Sequence, residues 1–123
     1  MGGKLRSVLI VDDDPKAVEE LTRYLERRGF DTLIAESGDA AVEIVRTHRI
    51  DYVLSDIRMP GIKIDVMVAR MRRHVDDLPI ALMTGQPGVD QELDPAHLQV
   101  DAVLKKPLNL RDIGALLKER VSQ

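Results

Sequence analysis

The chain contains no cysteine and no tryptophan. The first absence excludes disulfides, thiolate-held zinc and thiol catalysis, and it fits a reducing compartment. Rings are scarce throughout: Tyr24, Phe30 and Tyr52 are the whole aromatic complement, so there is no platform on which unpaired bases would stack. Positive charge is not in excess either. With 18 Lys+Arg against 21 Asp+Glu the formal net charge is −3, which gives no broad basic field to attract nucleic acid or an anionic membrane. Apolar runs fall far short of membrane-spanning length. The opening MGGKLRS has no signal-peptide core, and Arg6 breaks a myristoylation pattern. A cytoplasmic location is expected. The length of 123 residues suits a single domain over 1–123, with 1–6 as an N-terminal extension or cloning remnant.

What the chain does have is an alternation of short apolar runs with stretches of helical period, the pattern of a parallel sheet covered on both faces. The spacing predicts strands at Ser7–Val11, Asp31–Ala35, Tyr52–Ser55, Ile80–Met83 and Ala102–Leu104. Helices are predicted at Pro15–Arg28, Gly38–His48, Ile64–Val75, a short one near Pro95–Gln99, and Leu110–Val121. Asp14 before Pro15 makes an N-cap and first-turn pair, Gly29 suits a left-handed helix end, and Asn109 caps the last helix. Val18, Leu21 and Leu25 share one helical face, as do Leu110, Ile113, Leu117 and Val121, so both stripes are read as core. Met67 and Met71 are core candidates as well. The expected fold is a three-layer, doubly wound (βα)5 sandwich, flavodoxin-like, with a parallel sheet in strand order 2-1-3-4-5.

In such a sheet, ligands bind beyond the carboxyl ends of the strands. Those ends carry Asp12, Asp13, Asp56, Thr84 and Lys106. Three consecutive aspartates, Asp12 to Asp14, after a buried strand repel one another and lose hydration, so something must offset the cost. A bound hard cation would do so. A cluster of hard oxygen ligands without His or Cys suits Mg2+. A capping loop is the rival use of an Asp triplet, and it is the role assigned to Asp14 alone.

The segments VDDDP, SDIRMPG, MTG and LKKP stand in the order and at the spacings of the receiver domain of two-component response regulators, which the whole chain resembles. The resemblance implies that Asp56 is the phosphoacceptor and that Asp12, Asp13, Asp56 and the backbone carbonyl of Arg58 hold Mg2+. It further implies that Thr84 donates its hydroxyl to the phosphoryl group, with the Gly85 N–H beside it. Lys106 then supplies a positive charge through a cis Lys106–Pro107 junction. The phosphodonor would be a histidine kinase or histidine phosphotransfer protein, and the chain a signalling switch rather than a turnover enzyme. A downstream output domain or protein is the expected recipient of the signal.

Against this family pattern, Ile64 replaces a common glycine, Val103 replaces a Tyr or Phe, and Pro95 interrupts a helix. These predict an altered turn into the third helix, weaker or rerouted coupling of Thr84 to the fourth helix and fifth strand, and a late start to the fourth helix. Arg58 and Gln86 occupy positions that set how fast water removes the phosphoryl group in the family. His48, His74 and His97 lack metal-ligand spacing and are expected at the surface. Lys105 is expected to be solvated. The cluster Arg70, Arg72, Arg73 and His74 is read as a solvated helix face, with partner docking as the alternative. Two rival functions remain: a pseudo-receiver interaction module, and a small Mg2+-dependent phosphatase of the haloacid-dehalogenase type, which Lys16 spoils at its first motif. A flavin-binding use of the fold is disfavoured by the acidic rim and the missing rings.

Overall fold

The computed structural model describes residues 6–58, 61–85 and 98–121. Five strands, β1 (Arg6–Val11), β2 (Phe30–Ala35), β3 (Tyr52–Asp56), β4 (Ile80–Thr84) and β5 (Ala102–Lys105), form one parallel sheet in the order β2-β1-β3-β4-β5. Four described helices, α1 (Pro15–Arg27), α2 (Gly38–Thr47), α3 (Ile64–His74) and α4 (Leu110–Val121), connect or follow them. This is the doubly wound architecture that the sequence predicts. The helix expected near Pro95–Gln99 lies outside the described residues up to position 97, and so do Gln86, Pro87, Gly88 and His97. No described helix is long and apolar enough to cross a membrane.

The parity of the strands builds the layers. Successive side chains of a strand point to opposite faces, so Val8 and Ile10 of β1, Tyr52 and Leu54 of β3, and Ala81 and Met83 of β4 turn one way. There they meet Leu21 and Leu25 of α1 and Ile113 and Leu117 of α4. Leu9, Val11, Val53, Ile80 and Leu82 turn the other way, onto Ala41 and Val45 of α2 and Met67, Val68 and Met71 of α3. Burying each of the larger side chains contributes roughly 1.5–3 kcal/mol, which is why the central strands read as continuous apolar runs.

Helix ends follow the predicted chemistry. Asp14 caps α1 by accepting the Lys16 N–H at 3.1 Å, and Asn109 caps α4 by accepting the Arg111 N–H at 2.9 Å. Gly29, at φ 89°, makes the left-handed exit from α1. Strand and helix limits shift by a residue from their sequence-based places. The polar residues Asp56, Thr84 and Lys105 still pair in the ladder, one residue beyond the predicted strand ends at Ser55, Met83 and Leu104. Arg6, placed in an extension by the sequence reading, joins β1 opposite Phe30, because backbone pairing does not require an apolar side chain.

Candidate functional site

The carboxyl ends of β1, β3, β4 and β5 lie side by side, and the register brings their next residues together. Asp12 follows β1, its N–H donating to the Ala35 carbonyl at 3.1 Å, and its side chain is fully buried. Asp56 closes β3 opposite Met83, one residue before Thr84, which ends β4 buried. Lys106 follows β5, with its N–H donating to the Thr84 carbonyl at 2.7 Å. The Lys106–Pro107 bond is cis, as the resemblance implied.

Asp12, Asp13 and Asp56 each offer a carboxylate oxygen, and the three oxygens lie within 4.8 Å of one another. Oxygens this close can share one hard cation after small side-chain rotations, and the donor set lacks the softer nitrogen or sulfur that would favour zinc. Asp12 is already oriented: its Oδ1 accepts the Asp14 N–H at 3.0 Å, which leaves Oδ2 toward the site. Asp13 is exposed and Asp56 half-buried. Arg58 is exposed just beyond β3, and its N–H donates to Asp56 Oδ1 at 3.4 Å.

Lys106 Nζ donates to Asp12 Oδ2 and to Asp56 Oδ2, each at 3.4 Å. Burial is the largest influence on this ammonium and lowers its pKa. The charges and hydrogen bonds of Asp56 and Asp12 together outweigh it, so the pKa stands above the ordinary lysine value. Lys106 is therefore a fixed positive charge between two strand-end carboxylates. The sequence placed it at the site but gave no sign that it bridges both aspartates, since residues 94 positions apart become neighbours only through the strand order.

Of the three departures from the family pattern, Ile64 and Val103 lie among the described residues. Ile64 begins α3 after Lys63, whose φ is −69°, and packs against the α2/α3 core; Gly61, at φ 98°, supplies the left-handed turn instead. Val103 packs on the same core from β5. His48 and His74 are exposed, as predicted, and so is Lys105. One reading needs correction. Arg72 does not stand on a solvated face: it is half-buried and donates to the carbonyls of Asp76, Leu78 and Gln99. The helix turns it toward strand-entry backbone that a linear sequence does not show.

A parallel sheet in this order, with acidic side chains and one lysine gathered on its carboxyl rim, defines a flavodoxin-like α/β domain built around an aspartate pocket. The chain belongs to the response regulator receiver domain family, whose model matches residues 8–118. It is 32% identical over 114 residues to the DNA-binding response regulator MtrA of Mycolicibacterium smegmatis, covering 93% of this chain and 50% of that protein. It is 26% identical over 114 residues to the heme response regulator HssR of Staphylococcus saprophyticus, with the same coverage of 93% and 50%. The chain thus spans about half the length of the curated relatives it matches. Among solved structures, a receiver protein from Pseudomonas putida superposes with a TM-score of 0.83 at 28% identity, over 94% of this chain and 98% of that one. A CheY-like receiver domain from Methanospirillum hungatei JF-1 shares the fold with a TM-score of 0.87 at 23% identity, over 97% and 95% of the two chains. Receiver domains of two-component response regulators are signalling switches, and this chain carries their acidic pocket.

Proposed function

We propose that this chain accepts a phosphoryl group on Asp56 from a phosphohistidine donor, a histidine kinase or histidine phosphotransfer protein, and passes the change to an output partner. The convergence of Asp12, Asp13, Asp56 and Lys106 on one rim supports this reading above all.

An Asp56 carboxylate oxygen forms the new bond to phosphorus while the phosphorus–nitrogen bond of the donor breaks, and the imidazole leaves with the electron pair. Charge develops on the equatorial phosphoryl oxygens as the bonds exchange. Lys106 meets that charge by giving up its contact with Asp56 Oδ2 for a phosphoryl oxygen, a short move for a flexible stem. Thr84, at the adjacent strand end, donates its hydroxyl to a second oxygen, with the Gly85 N–H beside it. Asp12, Asp13, an Asp56 oxygen and the Arg58 carbonyl are the groups that would hold Mg2+. When bound, the ion offsets the mutual repulsion of these carboxylates and neutralises phosphoryl charge.

Incubation with acetyl phosphate and Mg2+, followed by intact-protein mass measurement, tests the proposal. The expected result is addition of one phosphate to the native chain and none to Asp56→Asn. Undiminished labelling of that variant would remove Asp56 as acceptor, and Mg2+ binding without labelling by any competent donor would make the chain a pseudo-receiver.

A further inference from the structure

Arg72 reaches beyond the end of its own helix. Its Nη1 donates to the carbonyls of Asp76 at 3.2 Å and Leu78 at 2.7 Å, on the connection into β4, and its Nη2 donates to the carbonyl of Gln99. Gln99 stands three residues before β5 begins. One guanidinium thus joins α3, the approach to β4 and the approach to β5.

The choice of arginine is informative. Among the described residues its hydrogen-bond acceptors are neutral carbonyls, and its Nε is buried without a partner. A half-buried charge whose described acceptors are all neutral adds little to stability alone, since an apolar side chain of similar length would fill the same space. What the guanidinium supplies is direction: a planar fork holds several acceptors at fixed angles. One of those acceptors needs holding. Gln99 has φ 61°, a left-handed conformation unusual for a residue with a Cβ and maintained only where its surroundings enforce it.

Strand β5 depends on such anchorage. It has four residues, lies at the edge of the sheet, and none of its side chains is fully buried. Little in its own pattern resists a register slip, and a slip of one residue would bring Lys105 or Pro107 to the place of Lys106. Its entry is clamped instead. The Asp101 N–H donates to the Ile80 carbonyl and the Ile80 N–H to Asp101 Oδ2, both at 2.7 Å, two residues beyond the Gln99 and Leu78 carbonyls that Arg72 holds.

We propose that Arg72 is a positioning residue for Lys106: from the opposite end of the sheet, through Gln99 and Asp101, it sets the register of β5 and so the place of the ammonium. This rests on the role given to Lys106 above. Arg72→Met keeps the packed stem and removes the fork. At saturating Mg2+ it is expected to slow labelling by acetyl phosphate by about tenfold, the scale of a small misplacement of a reacting group. Mg2+ affinity should not fall, because the carboxylates that would hold the ion keep their places. In 1H–15N spectra the amides of Thr84, Lys105 and Lys106 should shift while that of Asp13 does not. In a Lys106→Met background the Arg72 change should add nothing further. Arg72→Lys, with a single donor group, should fall between native and Arg72→Met, and it serves if the methionine variant fails to fold. A native labelling rate in Arg72→Met, or two effects that multiply in the double variant, would overturn the inference. If Lys106→Met alone left the rate unchanged, the reading of the site would fail instead; an unmoved Lys106 amide in Arg72→Met would then still reject the positioning role.

Discussion

Lys106 Nζ lies 3.4 Å from Asp56 Oδ2, although the two residues are 50 positions apart and at the ends of strands that are not neighbours. Strand β4 runs between them, so the contact arches over the end of β4 beside Thr84. The site is therefore internally neutralised in part, with the ammonium lodged where the proposed phosphoryl transfer would need it.

That lodging sets two opposite consequences for Lys106→Met. Removing the charge takes away a cation that competes for the same carboxylates, so Mg2+ affinity should rise several-fold in a fluorescence or calorimetric titration. Labelling by acetyl phosphate should slow on the order of 100-fold, as for loss of one preorganised charge facing a transition state. A variant with weaker Mg2+ binding and an unchanged rate would contradict both expectations.

The raised pKa of Lys106 carries a pH signature in metal-free protein. A group whose folded pKa exceeds its unfolded value contributes stability that is fully present below the unfolded pKa, here the ordinary 10.5, and is lost as pH climbs through the folded value. The stability difference between the native chain and Lys106→Met should be constant from pH 7 to about 9, set by the lysine reference value, and shrink above about 10.5. Urea melts at several pH values in EDTA measure it. A difference that widened as the solution became alkaline would reverse the assigned sign.

Asp13 is the exposed member of the acidic cluster. Asp13→Asn removes one repelling charge, so metal-free stability should rise by about 0.5 kcal/mol, the scale of an exposed charge pair. The same variant should lose most of the thermal stabilisation that Mg2+ gives the native chain, by mass action. Equal Mg2+-induced shifts in both proteins would take Asp13 out of the ligand set.

Gly114 of α4 faces Tyr24 of α1: a Cβ there would fall 2.5 Å from the Tyr24 hydroxyl. Glycine in a helix is usually about 1 kcal/mol worse than alanine. Here the order should invert, with Gly114→Ala destabilising by about 1–3 kcal/mol through overpacking. Adding Tyr24→Phe, which removes the obstructing oxygen, should recover most of the loss in denaturant melts. Simple stabilisation by Gly114→Ala would show that the Tyr24 ring moves aside at little cost.

The parts of this molecule legible in its sequence are those written in local pattern. Apolar runs such as Val8–Val11 and Ile80–Met83 announced buried parallel strands, and Asp14, Gly29 and Asn109 announced helix ends. The site was legible one step further on, because strand ends in an open α/β sheet converge and Asp12, Asp56, Thr84 and Lys106 were read as strand ends. Arg72 was not legible. Among neighbouring cations it looks like any solvated side chain, and its partners are backbone carbonyls, which every residue possesses and no sequence distinguishes. The left-handed Gln99 escaped for a related reason, since no glycine marks it.

The sheet gives the molecule two interiors, insulated from each other by a single thickness of backbone. A change of volume at Leu9, Val53 or Leu82 has to be absorbed by α2 and α3, whereas one at Ile10, Leu54 or Met83 is felt by α1 and α4. Either interior can be recomposed while the other keeps its fit, so the surface that one helix pair presents to partners is free to diverge without disturbing the opposite side.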